Sequence, residues 1–130
     1  LKSMVDNGDN YILIDVRTLD EHNHGYIPGS INIARGVLEF RIMDEEFWEE
    51  EGMYTPLKED ILILYSNKGG RSSFGSAALE KLGFKQVFSL ENGWQSWIKE
   101  YPELKLENLP KIHQIPVPQG AGDEEEGGAC

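Results

Sequence analysis

The stretch Ile61–Gly83, ILILYSNKGGRSSFGSAALEKLG, constrains this chain more than any other. Ile61–Tyr65 is a short apolar run set off by Lys58, Glu59 and Asp60. It predicts a strand covered on both faces, as in a parallel sheet. Ser72–Leu82 is rich in helix formers, and Gly83 is a natural stop just past a helix end. Between them lies Ser66-Asn67-Lys68-Gly69-Gly70-Arg71. Gly69 and Gly70 permit backbone angles that other residues resist, so successive N–H groups can turn inward as a nest. The following helix adds its partial positive end, and Lys68 and Arg71 add full charges. A strand, loop and helix of this kind make an anion cradle with Ser66 at its entrance.

The rest of the chain supplies the other layers of such a fold. Tyr11–Val16 (YILIDV) predicts a second buried strand, and its end, Asp15-Val16-Arg17, puts two charges where open α/β sheets hold ligands. Thr18 and Glu21 have capping-box spacing for a short helix through His24. Gly25–Ser30 reads as a loop, Ile31–Ile33 as a short strand, and Gln86–Leu90 as the last strand, followed by a turn into a helix through Trp97 and Ile98. Glu39–Asp60 is acidic, with Phe47 and Trp48 among its carboxylates, and reads as a solvated helix face with an aromatic anchor. Strands alternating with helices predict an α/β fold: a parallel sheet of about four to five strands with helices on both faces. Residues 1–103 form the expected domain. Residues 104–130 form an extended, Pro- and Gly-rich acidic tail, expected to be disordered at its end.

Charge and hydropathy exclude some partners. The net charge of −11 argues against nucleic acid and anionic membrane surfaces, and no apolar run is long enough to span a bilayer. These features point to a soluble protein and leave the compartment open between cytoplasm and periplasm. A lone cysteine, Cys130, cannot make a disulfide within the chain. His22, His24 and His113 show no metal-ligand spacing, so neither a metal nor another cofactor is expected. The chain opens at Leu1, inside what reads as the end of a helix, so its true start is expected to lie upstream. Oligomeric state is not legible.

Six motifs in order carry a resemblance. They are Asp15-Val16-Arg17, Glu21, Gly25-Tyr26-Ile27-Pro28-Gly29-Ser30-Ile31-Asn32-Ile33, the Gly69-Gly70-Arg71-Ser72 loop, Leu82-Gly83-Phe84 and Gly93-Trp94-Gln95-Ser96-Trp97. Together they resemble the rhodanese family of sulfurtransferases from Tyr11 to Trp97, and Arg35–Phe40 resembles one single-domain subgroup. The resemblance implies a further strand ahead of Leu1, missing from this sequence. It also implies a reaction: a loop cysteine takes sulfane sulfur from thiosulfate or a persulfide donor and passes it to a thiol or cyanide. The implied partner is a small sulfur-containing anion or a persulfide-carrying protein.

One atom departs from that pattern. The family loop reads Cys-x-x-Gly-x-Arg, and Ser66 stands at the cysteine position with the spacing intact. A helix N-terminus, inward N–H groups and cations lower a thiol's pKa from about 8.5 to below 7 and hold the persulfide. A hydroxyl is far less acidic and forms no stable persulfide analogue. The chain as written is expected to keep the cradle and lose the covalent step. Either Ser66 replaces an original cysteine, and the parent is a thiosulfate or persulfide sulfurtransferase, or Ser66 is native and the domain is a non-catalytic binding or regulatory module. A Cdc25-type phosphatase relative fits less well, because its loop has five residues between Cys and Arg and this one has four between Ser66 and Arg71.

The resemblance also assigns roles. Ser66 and Arg71 take the catalytic positions. Asn67, Lys68, Gly69 and Gly70 form the anion-binding loop, and Arg35 is a candidate at the same entrance. Asp15, Arg17 and Glu21 support the loop, with Asp15 or Glu21 as the carboxylate partner of Arg71. Trp94 and Trp97 read as core.

Overall fold

The structure, a computed structural model, describes residues 10–102. The expected helix end at Leu1–Val5 and the tail from residue 104 lie outside the described residues. The elements are β1 (Ile12–Asp15), α1 (Leu19–Asn23), β2 (Ile31–Asn32), a 3-10 turn (Arg35–Val37), α2 (Leu38–Arg41), α3 (Glu45–Glu50), β3 (Ile61–Tyr65), α4 (Gly70–Lys81), β4 (Gln86–Ser89) and α5 (Gly93–Glu100).

The four strands form one sheet in the order β2-β1-β3-β4, and every pairing is parallel. Asp15 pairs in register with Tyr65. The chain leaves β1 toward one edge of the sheet and leaves β3 toward the other. β1 and β3 therefore flank a topological switch point, where the loops leaving their carboxyl ends diverge. The Asp15–Arg17 and Ser66–Arg71 segments both begin there.

Side chains alternate across the sheet, as strand geometry requires. On one face Ile14, Leu62, Leu64 and Val87 pack with Leu38, Ile42, Trp48 and Leu79 from α2, α3, α4 and the segment between. On the other, Leu13, Ile63 and Tyr65 pack with Ile27 and with Trp94 and Trp97 of α5. Helices thus cover both faces, as the uninterrupted apolar strands predict. Trp48 anchors the acidic segment: its ring is fully buried and its Nε1 donates to the carbonyls of Ile42 at 3.0 Å and Arg41 at 3.1 Å. Fully burying a large apolar side chain contributes about 1.5–3 kcal/mol, which sets a short helix such as α3 in place despite its surplus of carboxylates.

Local signals act where the sequence puts them. Thr18 and Glu21 close both halves of the capping box on α1. Gly83 ends α4 at φ +104°. One boundary differs from expectation. α4 starts at Gly70 rather than Ser72, so Gly70 and Arg71 lie in its first turn, and Gly69 alone of the pair takes a left-handed conformation, φ +107°. One left-handed residue reverses the chain from β3 into α4, so the second glycine can be helical. No helix among the described residues is long and apolar enough to cross a membrane.

Candidate active-site loop

The loop after β3 is built around the side chain of Ser66, which is buried. Its Oγ accepts from the backbone N–H of Gly69 at 3.1 Å and of Ser72 at 3.2 Å, and lies 3.3 Å from Ser72 Oγ. The left-handed Gly69 aims its N–H inward, and the first turn of α4 supplies the other. The donors of the cradle therefore converge on the side-chain atom of residue 66.

A second helix end holds the outside of the loop. The N–H groups of Trp94 and Gln95, in the first turn of α5, donate to the carbonyls of Ser66 at 2.9 Å and Asn67 at 3.1 Å. Gln95 Nε2 also donates to Asn67 Oδ1 at 3.1 Å. Gly93 permits this approach, since a Cβ there would fall 2.1 Å from the Ser66 carbonyl oxygen. Asn92, at φ 58°, turns the chain into α5. Lys68 is exposed at the loop's crest and Asn67 is half-buried.

Arg71 takes Glu21, not Asp15, as its partner. Its Nη1 and Nη2 donate to Glu21 Oε1 at 2.7 Å and Oε2 at 3.1 Å, a two-pronged pair. Glu21 also accepts from the backbone N–H of Thr18 at 2.9 Å. One carboxylate thus caps α1 and ties it to the first turn of α4. The hydrogen bond from Arg71 holds the Glu21 carboxyl below its ordinary value of 4.5, against the opposing effect of partial burial.

Asp15 is occupied elsewhere. Its buried carboxylate accepts from Arg17 N at 3.0 Å, Arg17 Nε at 2.9 Å, Arg17 Nη2 at 2.7 Å and Tyr65 Oη at 3.0 Å, and lies 2.8 Å from His22 Nδ1. A carboxylate only accepts, so His22 carries its proton on Nδ1. Burial pushes the Asp15 carboxyl up, but the hydrogen bonds from His22 and Arg17 outweigh it and leave it below its ordinary 3.8. Burial, with the Asp15 charge, pushes the Tyr65 hydroxyl well above its ordinary 10.0, so it remains a donor. Arg17 lies over the rings of Trp94 at 4.7 Å and Tyr65 at 5.4 Å, and donates to the Gly25 carbonyl at 2.7 Å. The cluster thus touches the loop's supports, Trp94 and the end of β3.

Arg35 lies on the 3-10 turn before α2. Its Nη1 pairs with Glu39 at 2.8 Å, four residues along its own short helical stretch, and its stem lies beside Gly75, in the second turn of α4. Sequence reasoning also missed several residues. Ser72 and Ser89 complete the polar lining, with their hydroxyls 2.7 Å apart. Tyr65, His22 and Ser30 complete the Asp15 cluster, Ser30 Oγ lying 3.0 Å from Tyr65 Oη. A polar hydroxyl ending the apolar run ILILY was the available signal for Tyr65. Nothing in the spacing pointed to Ser89.

The sequence model of the rhodanese-like domain matches residues 1–100. The chain belongs to that family. It is 38% identical over 88 residues to a putative mitochondrial thiosulfate sulfurtransferase of Schizosaccharomyces pombe, an alignment covering 66% of this chain and 62% of that protein. It is 34% identical over 112 residues to the mouse thiosulfate sulfurtransferase/rhodanese-like domain-containing protein 3, covering 83% of this chain and 71% of that one. Among solved structures, the human single-domain sulfurtransferase TSTD1 superposes with a TM-score of 0.70 at 25% identity, covering 76% of this chain and 89% of that chain. The chain thus spans less than two thirds of the fission-yeast relative's length. The resemblance read from the six motifs and the parallel α/β fold stand, and the chain carries a rhodanese-like domain.

Proposed function

We propose that this domain is built to carry sulfane sulfur at position 66 and that, with serine there, it keeps the anion cradle without the covalent step. The observation that carries this reading is the environment of Ser66 Oγ. Two backbone N–H groups and a hydroxyl surround it at 3.1, 3.2 and 3.3 Å. Ordinary N–H···O and O–H···O separations centre near 2.9–3.0 Å and 2.7–2.8 Å. The two N–H contacts lie at the long end of the ordinary range and the hydroxyl contact beyond it, so three polar groups converge on this atom with room for a larger one. With a thiol in this place, the converging donors stabilise a thiolate, then the persulfide, and then the anion that departs.

The residues divide by role. Gly69 and Ser72 supply N–H donors from the loop and the start of α4. Gly70 begins α4 beside them. Asn67 is fixed by Gln95 and shapes the rim, and Lys68 draws a small sulfur-containing anion or a persulfide-carrying protein toward it. Arg71 and Glu21 hold the loop's form, and Asp15 with Arg17 holds the neighbouring strand end. Arg35 is a candidate cation at the entrance to the same site.

Incubation of the Ser66→Cys protein with thiosulfate, followed by mass measurement, tests this. The expected result is the gain of one sulfur atom on the introduced thiol, and cyanide-dependent thiocyanate formation that the Ser66 protein lacks. Turnover by the Ser66 protein itself would overturn the claim about serine.

A second reading has its own observation. The Ser66 hydroxyl satisfies both backbone donors, so the loop is complete without a thiol. That favours a native non-catalytic binding module, and a thiol introduced by Ser66→Cys that stays unreactive toward thiosulfate supports it.

A further inference from the structure

Three serine hydroxyls run in a line from the loop to the end of β4. Ser66 and Ser72 are buried and Ser89 is half-buried. Ser72 Oγ stands 3.3 Å from Ser66 Oγ, 2.7 Å from Ser89 Oγ and 3.2 Å from the Gly69 carbonyl oxygen.

Each hydroxyl has one proton and two lone pairs, which fixes the order of donation. Ser66 Oγ spends both lone pairs on the N–H groups of Gly69 and Ser72, so its proton goes to Ser72 Oγ. Ser72 then turns its own proton to the Gly69 carbonyl and accepts from Ser89 with its remaining lone pair. An anionic atom at position 66 carries no proton and presents a further lone pair toward Ser72. The Ser72 proton can answer by rotating away from the Gly69 carbonyl. Only a torsion about one C–O bond is needed, and Ser89 continues to donate from behind.

We propose that Ser72, oriented by Ser89, is a reversible side-chain donor for the group at position 66: it accepts from a neutral residue there and donates to an anionic one. The inference rests on the reading of position 66 as the sulfur-carrying site, and it makes Ser72 and Ser89 positioning residues for that atom. No bond other than the hydrogen bonds changes. A thiol proton leaves to solvent base, and Ser72 holds the thiolate that remains.

Charged and titratable groups on the surrounding elements are Lys68 on the loop, the Arg71–Glu21 pair joining α4 to α1, the Asp15–Arg17–His22 cluster with Tyr65 at the ends of β1 and β3, and exposed Glu91 in the turn after β4. β4 and the first turn of α5 contribute no charge. Ser72 is the side chain whose hydroxyl is placed to respond to the charge at position 66.

The test reads the acidity of the thiol in the Ser66→Cys protein, by the pH midpoint of alkylation followed on the peptide that contains position 66, so that Cys130 is scored separately. A hydrogen bond to a charged group corresponds to a shift of about one pH unit. Ser72→Ala is expected to raise the midpoint by about that much, and Ser72→Thr, which keeps the hydroxyl, to restore it. Ser89→Ala is expected to give a smaller rise that Ser89→Thr removes, which provides an independent measurement if a variant at the more buried Ser72 unfolds. An unchanged midpoint in folded Ser72→Ala, or equal midpoints for Ser89→Ala and Ser89→Thr, overturns the proposal. Persulfide formation from thiosulfate is measured on the same samples. Its absence with a Ser72-dependent midpoint removes the sulfur-transfer reading alone, and its presence with an insensitive midpoint removes this one alone.

Discussion

Two polar clusters sit side by side at the carboxyl ends of β1 and β3, and they solve burial in opposite ways. Around Asp15 a buried ion pair forms: Arg17, with His22 and Tyr65, directs its protons to one carboxylate that water does not reach. Around Ser66 Oγ, the partners among the described residues carry no charge. Neutral backbone N–H groups and hydroxyls share protons at longer range. The first cluster is closed, because its carboxylate already accepts from Arg17, His22 and Tyr65, and its contribution is to lock the ends of two strands. The second is adaptable, because its donors are fixed by the backbone and its hydroxyls can turn. A site for a transient negative charge requires donors that stay in place whether the charge is present or not.

Breaking the closed cluster has the largest expected effect. Asp15→Ala leaves Arg17 buried without its carboxylate and is expected to cost about 3–5 kcal/mol, read as a fall in the urea midpoint. A loss below about 1 kcal/mol would show that water reaches Arg17 and that the cluster is not closed.

The adaptable cluster is more sensitive to its backbone than to its side chains. Gly93→Ala places a methyl group against the Ser66 carbonyl, 2.1 Å away before relaxation, and forces φ +28° on a residue with a Cβ. A loss of about 2–4 kcal/mol is expected, together with displacement of the loop visible in amide spectra at Asn67 and Lys68. Wild-type stability with an undisturbed loop would remove α5 from its supporting role.

The bridge between α1 and α4 lies between these extremes. Glu21→Gln keeps the shape but removes the ion pair with Arg71. That pair is 25% and 36% exposed, so screening limits the expected cost to about 1 kcal/mol by denaturant unfolding. pH dependence separates the bridge from the loop. Asp15 and Glu21 both titrate below their ordinary values in the folded protein. The unfolded chain therefore binds protons first as pH falls, so stabilisation from both groups is complete above their ordinary values of 3.8 and 4.5 and is lost as pH drops through the lower folded values. Unfolding titrations from pH 7 to 2 should show this loss, with a smaller loss in Glu21→Gln. A Glu21→Gln profile identical to the parent's would show that Arg71 gives Glu21 no preferential stabilisation.

Arg35→Ala is expected to have the smallest effect, within about 0.5 kcal/mol of the parent, since its pair with Glu39 is exposed and local. A loss of thiosulfate-dependent sulfur loading in the Ser66→Cys background with unchanged stability would place Arg35 at the entrance of the site.

The parts of the site legible in the sequence are those governed by neighbours a few residues away. Ile61–Tyr65 is apolar on both faces, as suits a covered strand. Thr18 and Glu21 have the separation a capping box needs, and the Ser66-to-Arg71 spacing belongs to one kind of loop. Gly69 was legible as the turn residue because a left-handed angle favours glycine. Gly70 was misassigned to the loop, since a glycine tolerates the first turn of a helix equally well.

The partnerships were settled by tertiary structure. Arg71 and Glu21 are 50 residues apart, as are Tyr65 and Asp15, and Ser72 and Ser89 meet across a helix and a strand. Which carboxylate Arg71 takes depends on the register that sets Asp15 beside Tyr65 and fills Asp15 with Arg17 and His22, leaving Glu21 for α4. The sequence alone determined that a strand, a glycine-bearing loop and a helix meet around Ser66. Only the packing of β4 and α5 against that loop decided which groups surround the atom at position 66. Side-chain partners at long range are selected by sheet order and register, which local spacing does not encode.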